Sequence, residues 1–122
     1  MTATVFRLNT AGSTNLTKVR EGTTKVKGII AVNTAAYAIF VKFYWFRPTS
    51  SAAAPTVGTT APQITLELPA LGTTTGGVQF QSDDGMVGGD AELWIAVTKL
   101  PADSDTTAVL AGDGLISLLV DP

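Results

Sequence analysis

With 122 residues, no cysteine, no histidine and charged side chains at only 15%, the chain is long enough for one domain with its own hydrophobic core but lacks the side chains most chemistry uses. Disulfides, thiolate nucleophiles and cysteine-held metals are excluded, as are the usual general base and the commonest transition-metal ligand. Nineteen threonines, a 45% hydrophobic content and a formal charge of −2 describe a strand-rich chain less charged than the roughly 25% of ordinary soluble domains, as expected of a subunit that covers part of its exterior with neighbours.

Period-2 alternation and turn residues divide the chain into seven or eight strands with no amphipathic helix. Residues 4–8 form a possible first strand, and residues 1–15, polar and threonine-rich, read either as an arm reaching over a neighbour or as a first edge strand. They hold no apolar run of signal-peptide length, so synthesis in the cytoplasm is expected. Residues 16–20 lead to a turn at Glu21-Gly22. In residues 25–32, Val26, Gly28, Ile30 and Val32 are expected on one face, with Lys25 and Lys27 on the other.

Asn33-Thr34-Ala35 reverses the chain into residues 37–46. There Tyr37, Ile39, Val41, Phe43 and Trp45 share one side, while Ala38, Phe40, Lys42, Tyr44 and Phe46 share the other. Apolar mass on both sides makes this strand central in a sheet, or places a subunit interface against its second side. Phe40, Tyr44, Phe46 and the adjoining Arg47 are therefore the candidate interface residues. The uncharged run 28–41 is too short and too β-branched for a membrane-spanning helix, and no membrane partner is expected.

Three prolines make residues 48–62 a surface connection. Residues 64–68 alternate cleanly, with Ile64, Leu66 and Leu68 inward. A glycine-threonine run at 72–77 precedes a strand at 78–81, and residues 85–89 are glycine-dense. Residues 91–99 alternate Leu93, Ile95 and Val97 against Glu92, Trp94, Ala96 and Thr98; Asp103-Ser104-Asp105 marks a turn, and residues 115–120 form the last strand. Short strands with Gly/Pro-rich turns predict an all-β, single-domain antiparallel β-sandwich or jelly roll over residues 16–122.

Residues 1–61 hold seven bases and one acid, net +6, while residues 62–122 hold one base and nine acids, net −8. Either strands from the two halves pair and cancel, or the subunit is bipolar and its faces steer assembly. Candidate chemistry is sparse. Asp83, Asp84 and Asp90 flank a glycine-rich stretch that offers oxygen ligands for a hard cation, but their spacing is not that of an EF-hand, and turn aspartates are the commoner case. Asp103 and Asp105 read as a turn binding its own amides. Glu67 and Glu92 are carboxylates of the kind glycosidases pair, yet each is the outward member of an alternating strand. Phosphate-loop and dinucleotide fingerprints are absent, and no cofactor is expected. Lys18, Arg20, Lys25 and Lys27 on a hairpin, with Tyr37, Tyr44 and Trp45, would suit a nucleic acid, but a sequence pI near 4.8 opposes it.

The strings Val26-Lys27-Gly28-Ile29, Asn33-Thr34-Ala35-Ala36, Val41-Lys42-Phe43-Tyr44, Leu68-Pro69 and Asp105-Thr106-Thr107-Ala108-Val109, and above all Ala54-Pro55-Thr56-Val57-Gly58-Thr59 after an aromatic strand, resemble a group of small proteins of tailed bacteriophages and prophages. The resemblance covers most of residues 26–120 and departs at Trp45-Phe46-Arg47, where a polar turn is more usual. It implies a virion protein with a β-sandwich fold. The expectation is a non-enzymatic capsid decoration or cement protein on the outside of the capsid. It would assemble as a homotrimer and bind the major capsid protein; the alternative is a tail- or fibre-associated module. The resemblance implies no particular site residue.

Overall fold

A computed structural model describes residues 4–71, 77–87 and 91–122, with residues 77–87 taken as backbone. Eight strands lie among them: β1 (Thr4–Asn9), β2 (Thr17–Arg20), β3 (Lys25–Asn33), β4 (Ile39–Phe46), β5 (Ile64–Leu68), β6 (Gly77–Val87), β7 (Glu92–Thr98) and β8 (Gly114–Asp121). One sheet has the order β1-β8-β3-β6 and the other β2-β7-β4-β5. All pairings are antiparallel, and β4 with β5, β3 with β6, β2 with β7 and β1 with β8 form one long hairpin folded over on itself. This is the jelly-roll arrangement of an antiparallel β-sandwich. The expected fold class is therefore the observed one.

Alternation decides which side chains meet between the sheets. Ile39, Val41, Phe43 and Trp45 of β4 pack beside Leu93, Ile95 and Val97 of β7 and against Ile116, Leu118 and Val120 of β8, all buried. The Phe43 and Trp45 rings stack with centroids 6.2 Å apart, and the Trp45 indole N–H donates to the Thr24 carbonyl, so the largest core side chain is apolar in contact and satisfied at its polar atom. From the edges, Phe6 and Leu8 of β1 and Ile64 and Leu66 of β5 close the core.

On β3 the expected face is corrected. Val26 stands opposite Val120, yet Gly28 stands opposite Leu119, so one extra residue is inserted between them. Such a bulge reverses the alternation beyond it. Val26, Ile29 and Ala31 face the core, while Ile30 and Val32 point out to solvent. An unbroken period-2 pattern would put Ile30 and Val32 on the same side as Val26.

Polar groups fix the connections. Asn33, fully buried, donates from Nδ2 to the carbonyls of Tyr37, Leu68 and Pro69 and accepts from the Ala35 amide at Oδ1, which ties the β3–β4 turn to the end of β5. Strand β4 begins at Ile39, two residues later than the alternation suggests, because Tyr37 belongs to that turn. The Tyr37 hydroxyl donates to the Asp113 carboxylate, and the Lys99 ammonium sits 4.4 Å from its ring centroid.

Candidate interaction surface

The second side of β4, expected to meet another subunit, is covered by the chain itself. The β7–β8 connection, residues 99–113, crosses this side of the sheet and accepts two hydrogen bonds from the Lys42 ammonium, 2.6 Å to the Ala102 carbonyl and 3.5 Å to that of Asp105. Lys42 is 0% exposed. Burial holds its pKa below the ordinary lysine range, against the opposing pull of Asp105 and Asp103. Tyr44 lies on the same side at 1% exposure, its hydroxyl pushed up by burial and then by the charge of Asp103. Tyr44 is thus an interior residue and is not presented to a neighbour; Phe40 and Phe46 are half-buried, and of the four candidates only Arg47 is exposed.

The two long connections also touch each other over this sheet. Gly58 has φ +92°, and a Cβ there would lie 2.6 Å from Thr106 Cγ2, so only glycine permits this approach. Asp105 accepts from the Leu100 amide and the Thr107 hydroxyl, as a turn aspartate does. Burial works to raise its pKa, but hydrogen bonds from Thr107 and Leu100, with Lys42 nearby, hold it below the usual range.

Open apolar surface lies on the outer side of the other sheet. In-register rows run from β1 through β8 to β3: Val5, Leu119 and Gly28; Arg7, Ser117 and Ile30; Asn9, Leu115 and Val32. Val5 is 74% exposed, Ile30 61%, Leu119 39% and Val32 38%. Arg7, the one charged residue in these rows, is exposed, and among the described residues it has no hydrogen-bond or ion-pair partner. Unbroken alternation misses this surface, because it places Ile30 and Val32 in the core. A signal is nonetheless present: Ile29-Ile30 and Leu118-Leu119 are apolar doublets, and in a strand one member of each doublet must face away from the core.

The remaining candidates separate in space. Glu67 stands opposite Phe40 and Glu92 opposite Phe46, six residues apart along β4, about 20 Å at strand rise and too far for a carboxylate pair. Glu92 instead accepts from the Trp94 indole at 2.8 Å. The side chains of Asp83 and Asp84, and the whole of Asp90, lie outside the described residues. The four cations read as one hairpin are split, with β2 in one sheet and β3 in the other. Lys18 is tied to Glu21 at 2.9 Å, and Arg20 donates to the carbonyls of Glu21 and Thr23. Wrapping the hairpin also pairs the basic half with the acidic half: Lys25 is opposite Asp121, Lys18 lies 4.0 Å from Glu92, and Lys42 sits under the turn of Asp103 and Asp105. Comparisons with protein-family models, curated proteins and solved structures found no match.

Proposed function

We propose that this chain is a non-enzymatic structural subunit of a tailed-phage particle, decorating and stabilising the capsid by packing the outer side of the β1-β8-β3-β6 sheet on the major capsid protein. The apolar rows of Val5, Leu119, Ile30 and Val32 are the observation that carries it, since the largest contiguous apolar patch on a small domain, at a few hundred Å², is often a functional contact. The phage-like strings of residues 26–120 supply the kind of particle. Eight-stranded jelly rolls serve capsids, lectins and other roles, so topology alone does not choose among them.

Size sets the mechanism. Three strands about 4.8 Å apart and three rows about 6.7 Å apart give roughly 300 Å², well under the ~800 Å² per partner of a stable pairwise interface. One such contact is weak. An oligomer that sets several such faces on one capsid lattice adds the weak contacts through effective concentration and holds by avidity. A missing histidine and cysteine and the wide separation of Glu67 from Glu92 support a role without turnover.

The test is co-sedimentation of the purified chain with heads and with tails prepared separately from the encoding phage or prophage. Saturable binding to heads, at a fixed ratio to the capsid protein, is expected. Binding to tails alone would establish the tail-module alternative, and binding to neither would remove the proposal.

A further inference from the structure

We propose that the open edge of β1 is a pairing site for β1 of a second copy of this chain, antiparallel and centred on Phe6. Among the described residues the sandwich has four edge strands, β1 and β6 in one sheet and β2 and β5 in the other. Edge strands are guarded by shortness, bulges, charges or proline against unwanted pairing. Three of the four are guarded. Strand β2 has four residues, a register shift between Lys18 and Arg20, and both of those cations. Strand β5 has five residues, an exposed Glu67, and Pro62 and Pro69 close by at its ends. Strand β6 carries the register break opposite Val26 and Gly28 and has Asp83-Asp84 in its sequence.

Strand β1 carries one charge, Arg7, and otherwise has none of these devices. All six of its residues pair with β8 in unbroken register, its sequence TVFRLN holds no proline, glycine, lysine or acid, and Val5 is its most exposed apolar side chain. Among the described residues, no backbone hydrogen bond is made to its outer edge.

The sequence of β1 also selects a register. Phe6 and Leu8 face the core, while Val5, Arg7 and Asn9 face out. Paired residues must lie on the same face. Two antiparallel registers therefore keep five residue pairs within β1, one centred on Phe6 and one on Arg7. Centring on Arg7 sets two guanidinium groups directly opposite, which is destabilising. Centring on Phe6 sets Phe6 against Phe6 of the second copy on the core side, and each Val5 against Arg7 of the second copy on the outer side. The two sheets then run on as one, and the outer apolar rows of both copies form a single continuous face. A two-fold pair is an alternative to the homotrimer expected with the phage resemblance, and it stands independently of which particle the face contacts.

Disulfide trapping tests it, because the chain has no cysteine of its own. Val5→Cys and Arg7→Cys chains are prepared separately, one carrying a mass tag, and oxidised alone and as an equimolar mixture. Both positions are exposed, so circular dichroism of each variant is expected to match wild type. The mixture is expected to give the mixed covalent dimer, because the thiol at position 5 of one copy lies directly opposite the thiol at position 7 of the other. Val5→Cys alone, which keeps Arg7, is expected to stay uncrosslinked, because its two thiols lie diagonally, about 7–8 Å apart, beyond the usual disulfide span. A mixture that crosslinks no more than the separate chains overturns the proposal, as does efficient crosslinking of Val5→Cys alone. Head binding in the co-sedimentation assay would survive either result.

Discussion

Asn33 and Lys42 show how much of this fold hangs on single polar side chains. Asn33 turns an amide donor toward three carbonyls at 2.8–3.2 Å. Asn33→Asp puts a carboxylate oxygen in the donor's place, against lone pairs and without water. A loss of about 3 kcal/mol or more is expected, read as a lowered urea midpoint. Lys42 keeps an ammonium under the 99–113 connection at the cost of its hydration. Its folded pKa is depressed, so between that value and the ordinary 10.5 the unfolded chain binds more protons than the folded one, and stability contributed at this site rises with pH. Lys42→Met removes the titration and the bond to Ala102, costing about 1 kcal/mol near neutrality. The gap between wild type and Lys42→Met is expected to widen from pH 7 toward pH 10; the Tyr37 and Tyr44 titrations occur in both proteins and drop out of the difference. A constant gap would show that Lys42 is not desolvated.

Among the elements, β3 and β4 separate what alternation reveals from what it hides. Strand β5 has the bounds that alternation gives, and the two apolar sides of β4 mark it as central. What covers the second side of β4 is not legible in the sequence, because nothing local to residues 99–113 indicates that its carbonyls meet a lysine sixty positions earlier. The bulge at residue 27 is equally hidden, since Val26-Lys27-Gly28 alternates as well as any strand and the extra residue appears only against Val120 and Leu119. That bulge makes neighbouring isoleucines opposite in role. Ile29→Ala is expected to cost about 2–4 kcal/mol by opening a core cavity, and Ile30→Ala to stay within about 0.5 kcal/mol of wild type. Equal losses in chemical denaturation would mean that the strand runs without the bulge. Gly58→Ala, strained at its positive φ and crowded by Thr106, is expected to lose about 1–3 kcal/mol by loosening the contact between the two long connections.

For the whole molecule, the wrapped hairpin converts a charge asymmetry along the sequence into local neutrality in space. The +6 and −8 halves interleave at every pairing of a strand before β5 with one after it. Little long-range field is left to steer assembly, so the capsid recognition proposed above would rest on shape and apolar contact at the outer side of the β1-β8-β3-β6 sheet. Occupancy of purified heads by wild type, Ile30→Glu and Phe46→Glu, each first shown to melt like the wild type, tests this most directly. Ile30→Glu is expected to leave the heads nearly bare while Phe46→Glu fills them as wild type does, and full occupancy by Ile30→Glu with loss for Phe46→Glu would contradict the assignment of that sheet as the binding face.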